Sequence, residues 1–249
     1  MNNSGEMTDP QPRKRVDIVL PVYNEVAVLR QSVEQIVEFV KQHPKYEWHI
    51  TIADNGPSRD GTGALATQLE AEYPGQVEAL LLPVKGRGLA LKQAWTRPGY
   101  DVVTYMDIDL STDLNHLPEL VDMVAEGGCE VAIGSRLAKG SQTRRSLKRE
   151  ITSRGYVFLI RATFPKLKIT DAQCGFKALS RRAADALVPR IENGMWFFDT
   201  ELLVLAHRNH FKICELPVRW DEDPDTKVHI LKTAMEDVRG LLRMRFSKA

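Results

Sequence analysis

An open, mostly parallel α/β sheet with helices on both faces is the fold class this sequence predicts, and three observations predict it. From residue 16 to about 135, short apolar runs alternate with segments whose apolar residues recur at helical spacing. Val16 to Val22 is a short apolar run suited to a buried parallel strand. Polar, glycine-rich or acidic clusters follow four successive runs, where open α/β sheets bind their ligands.

Val16 to Val22 reads as the first strand, closed by Asn24, which can cap a helix carrying Leu29, Val33, Ile36, Val37 and Val40 on one face. His49 to Ala53, Val77 to Leu82, Asp101 to Met106 and Cys129 to Ile133 read as further strands. Asp60 to Tyr73, Gly88 to Thr96 and Leu114 to Ala125 read as the helices between them, the last capped by Ser111, Thr112 or Asp113. The second half changes character. A basic helix from about Ser146 to Phe164 precedes a strand-like Cys174 to Ser180, then helices starting at Arg181 and Phe198. A strand-like Phe211 to Trp220 and an amphipathic helix from about His229 to Arg245 follow.

The 249 residues, 43% hydrophobic and 27% charged, suit a packed globular chain and exclude wholesale disorder or a collagen-like fibre. No apolar run approaches the roughly 18 to 20 residues of a spanning helix. Residues 1–15 read as a disordered leader and 16–249 as one domain, whose change of character near 135 divides it into halves 16–135 and 136–249. Three cysteines, Cys129, Cys174 and Cys214, lack metal or redox spacing and point to a reducing, cytoplasmic compartment. The net charge of +1 hides ten basic residues between Arg136 and Lys168 against the single acid Glu150. That block carries +9, so the remainder carries −8. It is either a solvated helix face or a docking surface for an anion.

The strand ends carry the chemistry. Pro21, Tyr23, Asn24 and Glu25 follow the first; Asp54, Asn55, Gly56, Asp60 and Thr62 the second; Lys85 and Arg87 the third; Asp107 and Asp109 the fourth. Asp107 and Asp109, two apart on an extended segment, would leave the same face and repel unless a cation lay between them. Mg²⁺ or Mn²⁺ is held by one or two carboxylates and leaves positions for substrate phosphates, so a diphosphate is the expected partner. Lys85 and Arg87 add positive charge nearby. Neither G-x-G-x-x-G after the first strand nor a P-loop is present.

Pro21-x-Tyr23-Asn24-Glu25, the Asp54/Asp60-Gly61-Thr62 cluster and Asp107-x-Asp109 resemble the nucleotide-sugar half of inverting family 2 glycosyltransferases, which have the GT-A fold. Gly134-Ser135-Arg136, Arg145-Ser146 with Arg149, Asp171-x-Gln173-Cys174-Gly175-Phe176-Lys177, Phe198-Asp199-x-Glu201 and Pro217-Val218-x-Trp220 follow in order. That series is similar to the polyprenyl-phosphate sugar synthases, and among them to the dolichyl-phosphate glucosyltransferases more than to the mannosyl enzymes. The resemblance implies that Pro21, Tyr23, Glu25 and Asp54 hold base and ribose and that Lys85 lies near the nucleotide. It also implies that Asp107 and Asp109 bind the metal and that Arg136, Arg145 and Arg149 face the lipid phosphate. Asn55 stands where an acidic residue is usual, which bears on the choice of nucleotide. The chain is also expected to lack the membrane segments many such enzymes carry.

The reading is therefore transfer of a hexose from a nucleotide diphosphate sugar, UDP-glucose ahead of GDP-mannose, to a polyprenyl or dolichyl phosphate. An ionised phosphate acceptor needs positioning and arginines rather than a base, so the +9 block agrees with it. Asp199 and Glu201 read as sugar-hydroxyl binders or helix-orienting groups, or else as the base for a saccharide hydroxyl acceptor. Lys227 reads as a diphosphate contact or a solvated loop lysine. Residues 151–164 and the last helix suit peripheral attachment to the cytoplasmic face of a membrane, with a separate membrane partner possible; core packing competes for Val157 and Ile160. The third reading, a non-catalytic nucleotide- or nucleic-acid-binding module, is weakened by the few aromatics among the basic residues, and no nucleic-acid partner is expected.

Overall fold

The computed structural model describes residues 12–144, 146–221 and 230–246, without the side chains of 148 and 230–234. Strands β1 (Arg15–Val22), β2 (Glu47–Asp54), β3 (Val77–Leu81) and β4 (Val102–Met106) alternate with helices α1 (Val26–Lys41), α2 (Thr62–Glu72) and α3 (Arg87–Trp95). A single 3-10 turn, Leu114–His116, leads into α4 (Leu117–Ala125), which precedes β5 (Val131–Ser135). The second half adds β6 (Gln142–Arg144), α5 (Leu147–Thr163), β7 (Phe176–Ser180) and α6 (Arg181–Leu187). It ends with α7 (Phe198–Arg208), β8 (Ile213–Pro217), β9 (Arg219–Asp221) and α8 (Ile230–Phe246).

Seven strands form one sheet in the order β3-β2-β1-β4-β7-β5-β8, and β6 pairs with β9 in a small second one. All pairings of the large sheet are parallel except those of β7, which runs antiparallel to both β4 and β5. The two halves read from the sequence thus share one sheet. β7 of the second half is inserted between β4 and β5 of the first. Its direction was not visible in Cys174 to Ser180, because a short buried run looks the same parallel or antiparallel.

Burial follows the strand pattern. Every residue of β1 after Arg15 is buried, as are all five of β4 and of β5. One core lies under α1, α2 and α4 and another under α3, α6 and α7, so both faces are covered. Each fully buried Leu, Ile or Val in these layers contributes about 1.5–3 kcal/mol of transfer free energy. The α1 cap differs from expectation. Asn24 takes a left-handed conformation (φ 55°) and is not the cap. Asp60 instead reaches across to accept from the Val26 N–H at 3.1 Å, and Thr62 Oγ1 accepts from Glu25 N–H at 2.8 Å. Asp113 caps the turn before α4 as expected, accepting from Asn115 N–H.

The cysteine reading is corrected. Cys129 and Cys214 form a disulfide across 85 residues, joining the start of β5 to β8, and leave only Cys174 free and buried. Cysteine usage therefore does not point to a reducing compartment. Among the described residues, no helix is long and apolar enough to cross a membrane.

α8 packs against α5 and α7. It buries Asp237, which accepts from Gln173 Nε2 at 2.9 Å and from Tyr156, while Oδ1 has no partner. Burial pushes this carboxyl up to about 6, helped by Glu236 and Asp199 and opposed by the hydrogen bonds from Gln173 and Tyr156.

Two predictions follow from these features. Reducing the disulfide, or replacing Cys214 by Ser, lowers stability by about 2–4 kcal/mol, because closing a long loop restricts the unfolded chain. Equal Tm in oxidised and reduced protein would contradict this. For Asp237, the folded chain holds the proton more tightly than the unfolded one. Stability therefore falls as pH rises from the ordinary aspartate range through about 6. Asp237→Asn removes that penalty, stabilising the protein by about 2–3 kcal/mol at pH 7.5 and by nothing near pH 3.5. Tm profiles of the two proteins that stay parallel across this range would overturn it.

Candidate active site

The carboxyl ends of β1, β2 and β4 lie side by side, and the loops that follow them interlock. Pro21 is buried in β1 opposite Ala53, and Val22 lies opposite Asp54, the last residue of β2. Asp54 is buried and accepts from Ser58 Oγ at 2.7 Å; burial raises its carboxyl against those hydrogen bonds. Asn24 Oδ1 accepts from Arg59 N–H at 2.8 Å, and Ser58 Oγ accepts from Asn24 N–H at 2.9 Å. Asp60 and Thr62 brace the loop itself. Although burial would raise the Asp60 carboxyl, hydrogen bonds from Thr62 and the Val26 amide hold it below the usual range.

Tyr23 and Lys85 meet in this region, with the ammonium 3.6 Å from the ring centroid, a close cation–π contact. Asn55 is buried, and its carbonyl accepts from Gly86 N–H at 2.9 Å. Gly56 lets the backbones touch: at φ +133°, a Cβ there would sit 2.6 Å from Lys85 Cα. Lys85 is thereby held beside the β1 and β2 loops.

Asp107 and Asp109 lie in a turn beyond β4 and not on an extended segment, with Leu110 N–H donating to Asp107 O at 3.2 Å. Asp107 keeps 44% of its side chain exposed. Its amide donates to Gly175 O at 3.1 Å, and a Cβ on Gly175 would stand 1.9 Å from Asp107 Oδ2. Only glycine leaves room for that carboxylate. Asp109 is exposed, and its Oδ1 accepts from Ser111 N–H at 3.0 Å. No group of three or more His, Cys, Asp or Glu side chains placed to hold a metal ion occurs among the described residues. Two hard carboxylates with a diphosphate to complete the shell still fit Mg²⁺ or Mn²⁺.

Behind Asp107 lies a charge network that the sequence did not disclose. Arg87, the first residue of α3, donates to Asp107 Oδ1 at 2.7 Å and to Asp199 Oδ2 at 2.9 Å. Asp199 Oδ1 also takes Lys177 Nζ at 2.9 Å and the Tyr105 hydroxyl. Arg87 stacks between the Tyr105 and Trp196 rings, 4.9 and 5.0 Å from their centroids. Burial would raise the Asp199 carboxyl, but Lys177, Arg87 and Tyr105 together hold it below the usual range. The available signals were a lysine inside the apolar run Cys174 to Ser180 and an arginine between Gly86 and Gly88.

Asp199 and Glu201 are corrected as candidate bases. Asp199 is 3% exposed and fully committed to cations. Glu201 is 1% exposed, accepts from the Glu192 and Asn193 amides and pairs with Arg243 at 2.7 Å. Both lie in the first turn of α7 and tie it to neighbouring elements. Arg136, expected to face the lipid phosphate, is engaged within the protein. Its guanidinium forks onto Asp171 at 2.7 and 3.0 Å, and its amide bonds the same carboxylate. Despite burial, that pairing holds the Asp171 carboxyl low. Arg149 lies half-buried on α5, while Arg145 and Lys227 fall outside the described residues.

The basic block is partly neutralised from within. Arg154 pairs with Glu150, Arg161 donates to Ile169 O at 2.9 Å, and Arg144 lies 3.8 Å from Asp221. Burial pushes the Cys174 thiol up to about 12, in keeping with packing rather than catalysis. Phe197 and Phe198 are core residues, whereas Trp196 is half-buried against Arg87.

The chain is 38% identical to the glycosyltransferase AglD of Haloferax volcanii over 227 residues, 91% of this chain but only 35% of that protein. It thus spans about a third of that relative. The dolichyl-phosphate beta-glucosyltransferase ALG5C of Trichomonas vaginalis is 28% identical over 242 residues, 91% of this chain and 71% of its own. Among solved structures, Mycobacterium tuberculosis glucosyl-3-phosphoglycerate synthase, in complex with Mn²⁺, UDP-glucose and phosphoglyceric acid, superposes with a TM-score of 0.71. That match has 18% identity and covers 95% of this chain and 81% of that one, a likeness that shows the GT-A fold alone. The glycosyl transferase family 2 pattern matches residues 17–188, so the strands and loops that carry Tyr23, Asp54, Lys85, Asp107 and Asp109 lie within it, and the chain belongs to that family of glycosyltransferases.

Proposed function

We propose that this glycosyltransferase moves a hexose, with inversion, from a nucleotide diphosphate sugar to a polyprenyl or dolichyl phosphate, with UDP-glucose the favoured donor and GDP-mannose next. The observation that carries the acceptor assignment is the burial of Asp199 and Glu201 in ion pairs. A saccharide hydroxyl needs a positioned base near neutral pH, whereas a phosphate monoester is already ionised. The two carboxylates expected as that base are occupied. The relatives named as dolichyl-phosphate glucosyltransferases support the same acceptor.

In this reading Pro21, Tyr23, Glu25, Asp54, Asn55 and Lys85 receive the nucleotide. Asp107 and Asp109 hold Mg²⁺ or Mn²⁺, as the Mn²⁺ complex of the mycobacterial enzyme supports. When bound, the ion offsets the charge that builds on the departing diphosphate. Asp107 is the better placed of the two to be held rigidly, since Gly175 and Arg87 fix its backbone and its carboxylate. Arg145, Arg149 and Lys227 remain assigned to phosphate contacts on sequence grounds.

A lipid acceptor requires access to a bilayer. α5 exposes Leu147, Ile151 and Phe158, the last at 74%, along one stripe. α8 exposes Met235, Val238, Leu242 and Phe246 at i, i+3, i+7 and i+11, the last at 81%. Val157 and Ile160 turn into the core instead, so α5 divides between packing and exposure. Exposed arginines 154, 239 and 245 flank these stripes. Amphipathic helices of this kind lie in the membrane interface, and we assign the protein to a membrane surface on that basis.

Incubation with labelled UDP-glucose or GDP-mannose, Mg²⁺ and a short polyprenyl phosphate places label in the organic phase. Asp107→Asn lowers that transfer by about 10²–10³-fold. Label reaching a saccharide and never the lipid would overturn the acceptor. Phe158→Glu combined with Leu242→Glu is expected to cut sedimentation with anionic vesicles by at least about tenfold without changing Tm. Unchanged vesicle binding would reject the two stripes as the membrane face.

A further inference from the structure

Arg87 is nearly buried and sits between two carboxylates of different kinds. Asp199 is enclosed and has Lys177 and Tyr105 besides Arg87, whereas Asp107 is partly exposed. The charges of Arg87, Lys177, Asp107 and Asp199 cancel. The aromatic faces of Tyr105 and Trp196 restrict the guanidinium, and both of its terminal nitrogens are engaged. It therefore cannot move aside without leaving a charge in a poorly solvated place.

We infer that Arg87 makes divalent cation binding at Asp107 depend on the nucleotide diphosphate. The inference rests on the assignment of the cation to Asp107 and Asp109. A bare cation approaching Asp107 must compete with a fixed guanidinium 2.7 Å from Oδ1 and is repelled by it. A cation arriving with a diphosphate brings compensating negative charge, which Arg87 then attracts instead of opposing. The same arginine thus discourages the ion alone and favours the ion with its nucleotide. The linkage is reciprocal, so the ion strengthens nucleotide binding by the same factor. Arg87 is on this account a positioning residue, acting through Asp107 and the diphosphate.

The test is titration of Mn²⁺ by the EPR signal of the free ion, with and without UDP or GDP, on wild type, Arg87→Gln and Arg87→Lys. Wild type binds Mn²⁺ at least about tenfold more tightly with nucleotide than without. Arg87→Gln binds Mn²⁺ alone about tenfold more tightly than wild type, so the ratio narrows, while Arg87→Lys, which keeps the charge, stays near the wild-type ratio. Nucleotide-free affinity that is unchanged or weaker in Arg87→Gln overturns the inference, and so does a lysine variant that behaves like glutamine. Should the glutamine variant fail to fold, wild type still decides: equal Mn²⁺ affinity with and without nucleotide overturns it. Absence of Mn²⁺ binding to wild type under either condition removes the metal assignment itself. Binding that requires nucleotide but ignores Arg87→Gln overturns the inference and leaves the metal assignment standing.

Discussion

The ion cluster around Asp199 is the constraint on which the rest of the site depends. A carboxylate this deeply enclosed is tolerable only because Lys177, Arg87 and Tyr105 all point at it. These partners come from β7, α3 and β4, and Asp199 itself from the first turn of α7, so one side chain ties four elements together. Removing a single partner from such a group typically costs about 3–5 kcal/mol, because the remaining charge has no solvent. The same cluster fixes Arg87, and through it the exposed carboxylate of Asp107. Stability and site geometry are thus one problem in this molecule.

The first turn of α7 carries a second consequence. Two residues beyond Asp199, Glu201 accepts the amides of 192 and 193 and pairs with Arg243 on α8. Acidic groups at a helix N-terminus are favoured by its dipole, and here both also serve distant elements. Asp199 reaches toward the strand ends and Glu201 toward the surface helix. The loop at 192–196 lies between them and presents Trp196 to Arg87. A short stretch of chain thereby connects the carboxyl ends of the strands with the helices that expose apolar stripes.

What the sequence disclosed and what it hid have a physical division. Strands β1 and β4 were legible because parallel strands buried on both faces leave short, mostly apolar runs, and the starts of α6 and α7 at Arg181 and Phe198 agree with the structure. The grouping of Tyr23, Asp54, Lys85 and Asp107 was legible because topology alone brings parallel strand ends together. Partner choice was not. Arg136 and Asp171 are 35 residues apart, and Arg87 and Asp199 are 112 apart. Nothing local distinguishes a cation kept for a ligand from one consumed by an internal carboxylate. The Cys129–Cys214 bond was hidden for the same reason, since it depends on β5 and β8 being neighbours. The α1 cap failed differently: Asn24 has the right chemistry, but its left-handed backbone gives the task to Asp60 from another loop.

The acidic residues of the second half therefore bear on the chemistry through what they neutralise. Asp171 takes up Arg136, a cation of the +9 block that a count of charges would have offered to a phosphate, and Asp199 takes up Lys177 beyond that block. A net-charge argument for an anionic acceptor is weakened to that extent, since part of the +9 never reaches solvent. The case for a phosphate acceptor rests instead on the other side of the same pairings. Carboxylates locked onto cations below the usual range are poor proton acceptors. A reaction whose nucleophile arrives already ionised is the one that this arrangement leaves unhindered.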